Sequence, residues 1–428
     1  MNRYDNYFET GFEWIGEIPS SWELSRVGKF FTERSEKVDD VTYPPLSVTM
    51  NGIVEQLSDV AKSNDNDNRK LVKKDDFVIN SRSDRKGSSG IAPRDGSVSL
   101  INIVLAPKDI DPKYIENLFK SYYFKEEYFR NGKGIHWDLW TTRWEQFKNI
   151  NIPVPTIEEQ KLISQYLDKK TNQIDSLIEK IQKKIDLLKE KRTSMINHCV
   201  TKGLDSNVEM KDSGVEWIGE IPENWSVAKI MYISKKVTDG SHFSPETQDS
   251  GKFYVTVSNV SKSNSISFDS CSKISEESFL ELERNGCRPK KDDVLITKDG
   301  TIGRGLVVGE FNEYVILSSI GLIRFSKKIN PEYGLYYLIS GLNIEQMYSH
   351  VRGSGITRLT INLIKNLLMI IPTFSEQQKI VEYLDENTGL IDKTISIEEK
   401  RTKLLKEYRQ SLISSVVTGK VRVTEDMI

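Results

Sequence analysis

Two stretches of this sequence nearly repeat each other: GFEWIGEIPSSW, which begins at Gly11, and GVEWIGEIPENW, which begins at Gly214. A second pair follows, PTIEEQKLISQYLDKKTNQID from Pro155 and PTFSEQQKIVEYLDENTGLID from Pro372. The first pair lies 203 residues apart and the second 217, so the front half of the second copy carries a net insertion of 14 residues. Two copies are too few for a solenoid, and a duplicated unit of this size predicts pseudo-twofold symmetry.

Composition limits the class of protein. A chain of 428 residues is expected to hold at least two domains, and 37% hydrophobic with 29% charged residues is typical of a soluble, helix-rich protein. We expect no membrane segment, because no apolar run reaches spanning length, and no signal peptide, because the N-terminal residues are polar and aromatic; a cytoplasmic location follows. A net charge of −2 neither indicates nor excludes binding to nucleic acid.

The three cysteines, Cys199, Cys271 and Cys287, are an odd number without CxxC spacing. This pattern argues against a disulfide framework and against a zinc site.

The segments 1–155 and 206–371 are predicted to be globular. Short apolar stretches alternate with turn residues, and a helix is expected near 113–130, which together indicate a mixed α/β domain. KKDDFVIN from Lys73 matches KKDDVLIT from Lys290, again 217 residues apart, whereas most of the interiors share little sequence. The shared parts predict a common scaffold. The divergent interiors predict that the two copies contact different binding partners or different parts of one target.

Residues 156–205 and 372–428 are each predicted to contain one long helix. The first should begin at Ile157, with Thr156 as its N-cap, and should end at Gly203; the second should begin near Ser375. Each helix exceeds forty residues, so each spans on the order of 60 Å.

Both helices carry a narrow apolar stripe. In the first it consists of Ile163, Leu167, Ile174, Leu177, Ile181, Ile185, Leu188 and Met195, and in the second of Ile380, Leu384, Ile391, Ile395, Leu405, Leu412 and Val416. The second stripe is weaker in the middle, where Glu398 and Thr402 replace the isoleucines. Such stripes favour pairing of the two helices over packing of each within its own domain, which is the alternative.

The predicted fold class is therefore α+β: two globular mixed α/β target-binding domains joined by two long helices that form an antiparallel coiled coil with pseudo-twofold symmetry.

Motifs for catalysis are missing from the sequence. It contains no GxxxxGK[ST], no HExxH, no GxSxG and no Asn-Pro-Pro-aromatic tetrapeptide of amino-methyltransferases, and its four histidines are scattered. His198 and Cys199 are neighbours on a helix and point apart. The glycines of KDGTIGRG, from Lys298, fit a tight turn between strands better than a phosphate-binding loop. We expect a non-enzyme without cofactor or metal.

Basic residues concentrate in the divergent interiors. We take as candidate DNA-contact residues Arg82, Arg85, Lys86, Arg94, Lys133, His136 and Arg143 in the first copy and Lys298, Arg304, Arg352 and Arg358 in the second. Arginine binds guanine edges, while lysine and serine hold phosphates. The alternative for each residue is an ordinary solvated charge.

Trp14, Trp22, Trp217 and Trp225 recur at matching positions in the two copies. Stacking on bases is one interpretation. Because they recur while the interiors diverge, core residues that seat each domain on the helices are the favoured interpretation.

The paired EWIGEIPxxW and EQxxIxxYLDxxTxxID motifs make the chain similar to the specificity subunit of type I restriction–modification enzymes. In the second motif Gln160, Tyr166, Asp168, Thr171 and Asp175 are matched by Gln377, Tyr383, Asp385, Thr388 and Asp392. The resemblance covers nearly the whole chain.

The resemblance implies two target-recognition domains that each read one half of a split double-stranded DNA sequence. It further implies an antiparallel helical spacer that docks two methyltransferase (M) subunits, restriction (R) subunits that join those, and no catalytic residues in this chain. Two alternatives stay open: the specificity subunit of a type IIB-like system, and a bivalent coiled-coil adaptor that never touches DNA.

Overall fold

The computed structural model describes residues 2–56, 68–134, 140–261, 264–311, 313–349 and 358–428. The chain forms two compact units, one comprising Met1–Gln182 with Glu399–Ile428 and the other Lys183–Glu398. The boundary between the units falls inside both long helices, so each unit is built from a globular part and parts of two helices. The four-segment division of the sequence remains a prediction.

The first unit mixes short strands and short helices. Its described strands are β1 Tyr7–Glu9, β2 Glu17–Pro19, β3 Glu23–Arg26, β4 Phe31–Glu33, β5 Lys37–Val38, β6 Leu46–Thr49, β7 Gly52–Glu55, β8 Arg69–Val72, β9 Phe77–Asn80, β10 Ser89–Ile91, β11 Gly96–Val98, β12 Asn102–Pro107 and β13 Asn151–Val154. Its described short helices are α1 Val27–Phe30, α2 Pro112–Lys120, α3 Tyr122–Arg130 and α4 Trp144–Phe147.

The second unit has the same kind of composition. Its described strands are β14 Met210–Asp212, β15 Glu220–Pro222, β16 Ser226–Lys229, β17 Ser234–Asp239, β18 Lys252–Val255, β19 Ser272–Ile274, β20 Val294–Thr297, β21 Gly305–Val307, β22 Tyr314–Ile316, β23 Ile320–Phe325 and β24 Leu368–Ile371. Its described short helices are α6 Ile230–Ile233, α7 Glu276–Arg284, α8 Pro331–Leu338, α9 Gly341–Ser349 and α10 Ile361–Asn366.

The two long helices are α5 Ile157–Lys202 and α11 Phe374–Val417. The predicted start of α5 is confirmed, and the Thr156 hydroxyl caps it by accepting a hydrogen bond from the Glu159 amide at 3.3 Å. Gly203 follows α5 with φ at +81°, a conformation that glycine adopts without strain.

Each unit has a four-stranded antiparallel sheet at its centre. The strand order is β10-β9-β12-β4 in the first unit and β21-β20-β23-β17 in the second, so matching strands occupy matching places. The three-stranded sheets differ, because β11-β8-β5 is antiparallel throughout, whereas β18 pairs in parallel with β22. The scaffold is therefore repeated, while the added sheets are not.

The predicted stripes on the long helices are only partly buried. Ile163, Leu167, Ile181 and Ile185 on α5 are buried, whereas Leu177, Leu188 and Met195 are half-buried. Glu398 interrupts the stripe of α11 and is buried too. The Lys184 ammonium, 2.7 Å from its carboxylate, offsets the cost of burying this charge.

An indole N–H anchors the first turn of each long helix. Trp22 Nε1 donates to Glu159 at 3.1 Å, and Trp225 Nε1 donates to Glu376 at 3.1 Å. Burial acts to raise the pKa of the Glu376 carboxyl, but hydrogen bonds from Thr373, Trp225 and Asn224 outweigh it and hold that pKa below its usual value. The anchor therefore favours an ionised glutamate at the positive end of the helix dipole.

Burial confirms the predicted core role for Trp14, Trp22 and Trp225, but that prediction is wrong for Trp217, which is 44% exposed. Trp14 packs edge-on against Phe124, with ring centroids 5.5 Å apart. The matching helix of the second unit carries Asn343 where the first has Phe124, so Trp217 finds no such ring there.

A buried tyrosine in each unit binds the backbone of one long helix and of the strand that precedes the other long helix. The Tyr114 hydroxyl lies 2.8 Å from the Pro153 carbonyl and 3.2 Å from that of Val417. In the second unit the Tyr333 hydroxyl lies 2.9 Å from the Ile370 carbonyl and 3.4 Å from that of Val200.

We expect Tyr114→Phe and Tyr333→Phe each to lower the free energy of unfolding by about 1–3 kcal/mol, because each leaves buried carbonyls without their donor. Urea unfolding followed by circular dichroism measures this. Tyr232→Phe is the matched control, since Tyr232 is 73% exposed and should show no change. Equal stability of all three variants would contradict the anchoring role.

Candidate nucleic-acid interface

Arg82 and Arg143 lie on neighbouring backbone segments beside the end of strand β9. The chain leaves β9 through Ser81 and Arg82, and the segment before α4 returns alongside, where Thr142 N donates to the Ser81 carbonyl at 3.0 Å. Arg82 forms a backbone bridge with Thr141. Strand and return segment thus place two arginines, distant in sequence, at one edge of the first unit.

These arginines line a cleft of about 480 Å³. Trp144, Asn102 and Lys70 also line it. Asn102 is buried, and its Oδ1 has no hydrogen-bond partner in the described part of the chain, whereas its Nδ2 donates to the Ser99 carbonyl at 3.1 Å. A buried hydrogen-bond acceptor without a donor is energetically costly.

The charges in this cleft leave the arginines available. The acidic side chains already pair with lysines, Glu33 with Lys70 at 3.1 Å and Glu145 with Lys148 at 2.7 Å. Arg82 and Arg143 are exposed, and neither has an ion pair with any described residue. Two free guanidiniums in one cleft suit an anionic or acceptor-rich ligand.

The other candidates of the first unit lie in different surroundings. Arg85 is exposed at the end of the short 3₁₀ helix Ser83–Arg85. Lys133 is also exposed, and its backbone pairs with that of Thr141. The remaining two are engaged by side chains: Lys86 pairs with Glu126 at 2.7 Å and lies over the Phe129 ring, and Arg94 pairs with Glu55 at 3.0 Å. His136 lies outside the described residues.

Lys298, the first candidate of the second unit, is only 2% exposed. Its ammonium lies 3.3 Å from Asp239 and 3.7 Å from Asp299. A buried ammonium is stable only when carboxylates offset its charge, as Asp239 and Asp299 do here. The Lys298 side chain therefore does not present its charge at the surface.

Arg358 and Arg304 lie near that lysine, whereas Arg352 falls outside the described residues. Arg358 Nε lies 3.3 Å from Asp299, and its side chain is 57% exposed. Arg304 is half-buried and donates to the Val260 carbonyl at 3.4 Å.

The glycine-rich stretch KDGTIGRG forms the turn between β20 and β21, as predicted. Gly300 and Gly303 have φ of +70° and +87°, which side chains resist. The stretch therefore shapes a tight turn at the strand end.

Sequence reasoning missed the acidic partners because it searched for cations. Asp239 binds Lys298 and, at 3.3 Å, His242. The neighbouring Gly240 lets this turn pass close to the backbone of β22, since a Cβ there would lie 1.9 Å from the Ile316 carbonyl oxygen. The sequence DGSH from Asp239 signals a turn, but nothing in it indicates that this turn meets KDG from Lys298.

Within the described ranges, no group of histidine, cysteine, aspartate or glutamate side chains has an arrangement that could hold a metal ion. No helix in the described part of the chain is long and apolar enough to cross a membrane.

Comparison with known proteins identifies the family of this chain. The family model for the type I restriction modification DNA specificity domain matches residues 19–187 and again 222–407. The specificity subunit of the type I restriction enzyme MjaVIII from Methanocaldococcus jannaschii is 27% identical over 431 residues, which cover 95% of this chain and 94% of that protein. The EcoBI specificity subunit of Escherichia coli is 26% identical over 292 residues, 63% of this chain and 58% of that protein.

Solved structures share the fold. A chain from a study of complex assembly and conformational transition of the type I R-M system aligns with a TM-score of 0.65 at 15% identity, over 94% of this chain and 99% of that one. The HsdS subunit of Thermoanaerobacter tengcongensis aligns with a TM-score of 0.52 at 16% identity, over 94% of this chain and 98% of that one. Since the family model matches both copies of the repeat and most of the sequence, the chain belongs to the type I restriction–modification specificity family, as a DNA sequence-specificity subunit.

Proposed function

We propose that each globular unit binds one half of a split, asymmetric DNA target, and that α5 and α11 form an antiparallel coiled coil that sets the distance between the halves. The chain contributes no catalysis. It positions two methyltransferase subunits, and restriction subunits that join them, on cytoplasmic DNA.

The ion pairs between the long helices carry this proposal. In the second unit, Arg192 pairs with Asp392 at 3.0 Å and Lys184 with Glu398 at 2.7 Å. From one pair to the next, the residue number falls on α5 and rises on α11. This supports helices that run in opposite directions.

The first unit supports the same direction independently. Its Asp175–Arg409 pair, at 2.9 Å, joins the two helices, while the Tyr114 hydroxyl reaches both the Pro153 carbonyl just before α5 and the Val417 carbonyl at the end of α11. The start of one helix therefore lies near the end of the other.

The repeated anchors support pseudo-twofold symmetry. Trp22 with Glu159 matches Trp225 with Glu376, and the Gln160 side chain, which accepts from the Asp111 amide at 2.8 Å, is matched by that of Gln377, which accepts from the Asn330 amide at 2.8 Å. Equivalent reading domains on a common spacer suit a two-part target. Since their exposed loops differ, the two halves of that target should differ in sequence.

Among the predicted contact residues, we propose that the exposed Arg82, Arg85, Lys133 and Arg143, which have no ion pair with a described residue, contact DNA. In the second unit we propose the same role for Arg358, whose side chain stays 57% exposed beside Asp299, and for the half-buried Arg304. Lys86 and Arg94 would first have to leave their carboxylate partners. Guanidiniums without such partners bind phosphate or guanine at lower cost.

Replacing residues 25–150 with the corresponding segment of a relative should change one half of the target and leave the other unchanged, because the anchors outside that segment are kept. Methylation mapping of DNA modified by the assembled complex measures this. A change in both halves would contradict one half-site per unit, and a complex that binds no DNA would favour the adaptor.

Inserting four helix-forming residues after Leu188 should lengthen α5 by about 6 Å and widen the gap between half-sites by roughly one or two base pairs. The same mapping reads the gap directly. The matched control inserts four residues in the exposed turn after Asp205, outside the helix, and should leave the gap unchanged. An unchanged gap in the helix variant would remove the ruler role.

An exposed apolar row on α11 supports the docking of partner subunits. Tyr383, Leu390 and Ile397 recur every seven residues, so they lie on one face, and the last two are more than half exposed. Exposed apolar rows mark interaction surfaces more often than single exposed side chains do.

We expect the double variant Leu390→Glu with Ile397→Glu to weaken binding of the methyltransferase subunit at least tenfold, measured by titration calorimetry. Leu280→Glu, at an exposed position on α7, is the matched control and should bind normally. Undiminished binding by the double variant would exclude this face as the docking surface.

A further inference from the structure

Both units contain the same backbone junction after a central strand. In the first, Thr142 N donates to the Ser81 carbonyl at 3.0 Å and Arg82 bridges Thr141. In the second, Leu359 N donates to the Lys298 carbonyl at 2.8 Å and Asp299 bridges Arg358. Every position of the second junction lies 217 residues after its counterpart, the same offset as the conserved helix motifs. The two junctions are therefore equivalent places in the repeated fold.

The side chains at these equivalent places differ in a reciprocal way. In the first junction Arg82 follows the central strand, and Thr141 lies opposite it on the returning segment. In the second junction Asp299 follows the central strand, and Arg358 lies opposite it on the returning segment. Residues directly opposite each other in an antiparallel bridge have Cβ atoms about 5 Å apart on one face. Each unit thus brings one arginine to the same spot, but from opposite sides of the bridge.

The arginine of the first junction is free to bind. Arg82 is exposed, lines the cleft with Arg143, Trp144 and Asn102, and forms no ion pair with a described residue. Its five N–H donors match a ligand edge that carries two adjacent acceptors.

The arginine of the second junction, Arg358, lies beside a buried group of charged side chains. Asp299 lies 3.3 Å from Arg358 Nε and 3.7 Å from the Lys298 ammonium, which in turn lies 3.3 Å from Asp239. Lys298 is 2% exposed, so its positive charge balances the two carboxylates from the protein interior. The contact between Asp299 and Arg358 Nε is an ion pair without hydrogen-bond geometry, and the Arg358 side chain as a whole stays 57% exposed.

We propose that this junction is a base-reading position in both units: Arg82 and Arg358 each bind the O6 and N7 acceptors of a guanine in the major groove. Asp299, supported by Lys298 and Asp239, is a positioning residue that fixes the guanidinium of Arg358. The proposal rests on the proposed function, and it names one base type in each half-site. Bidentate binding of guanine by arginine is the commonest specific contact to a base edge.

The test uses the full chain assembled with its methyltransferase subunit on a DNA library randomised in both half-sites, with methylated products sequenced. Arg82→Gln should reduce discrimination at one G·C pair of one half-site by about 5- to 150-fold, and Arg358→Gln should do the same in the other half-site. Arg26→Gln and Arg284→Gln, at exposed positions elsewhere in the two units, are the matched controls and should leave both halves unchanged.

The positioning role is tested with Asp299→Asn, which keeps the size of the side chain and removes its charge. It should relax the same base pair as Arg358→Gln, and the double variant should be no worse than Arg358→Gln alone, because both changes act through one contact. A purely structural role would instead lower the unfolding temperature and weaken all sequences alike, with additive effects.

Two outcomes overturn the proposal. One is a uniform loss over all library sequences for the arginine variants, which assigns them to phosphate. The other is unchanged discrimination in both halves. In either case the proposed function stands as long as the unaltered complex still methylates a two-part target, and it fails only if that complex shows no such target.

Discussion

The fold depends on how the first turn of each long helix is held. A buried indole donates to a glutamate in that turn, and a buried tyrosine hydroxyl lies within reach of one carbonyl of a long helix and one carbonyl of the strand that precedes the other long helix. These donors satisfy groups that would be costly to bury alone. Because the same contacts occur in both units, the globular interiors are free to diverge while their seating on the helices stays constant.

This constancy explains what the sequence could reveal. The repeated motifs contain the anchoring residues themselves, Trp22, Glu159 and Gln160 with their counterparts, so the repeat and both long helices were predictable from pattern alone. Trp217 shows the limit of that inference. Its repetition predicted burial, yet Trp217 is exposed, and the second unit carries Asn343 in place of the Phe124 ring against which Trp14 packs.

The candidate interface was less predictable, because it forms from segments far apart in sequence. Arg82 and Arg143 are 61 positions apart, and backbone pairing of Ser81 and Arg82 with Thr141 and Thr142 brings their segments together. Lys298 looked like a surface cation until the fold placed Asp239 and Asp299 around it. Charge alone does not distinguish a free guanidinium from a neutralised ammonium; the neighbouring carboxylates do.

The boundary between the units inside both helices has a consequence for synthesis on the ribosome. The core of the first unit includes Leu412, Val416 and Val423, whereas the second unit uses no residue beyond Glu398. Domains commonly fold in the order in which they emerge. Here the amino-terminal unit cannot complete its core until residues after Glu398 have been translated, so its apolar surface stays uncovered while the whole second unit is made and needs protection by chaperones for that time.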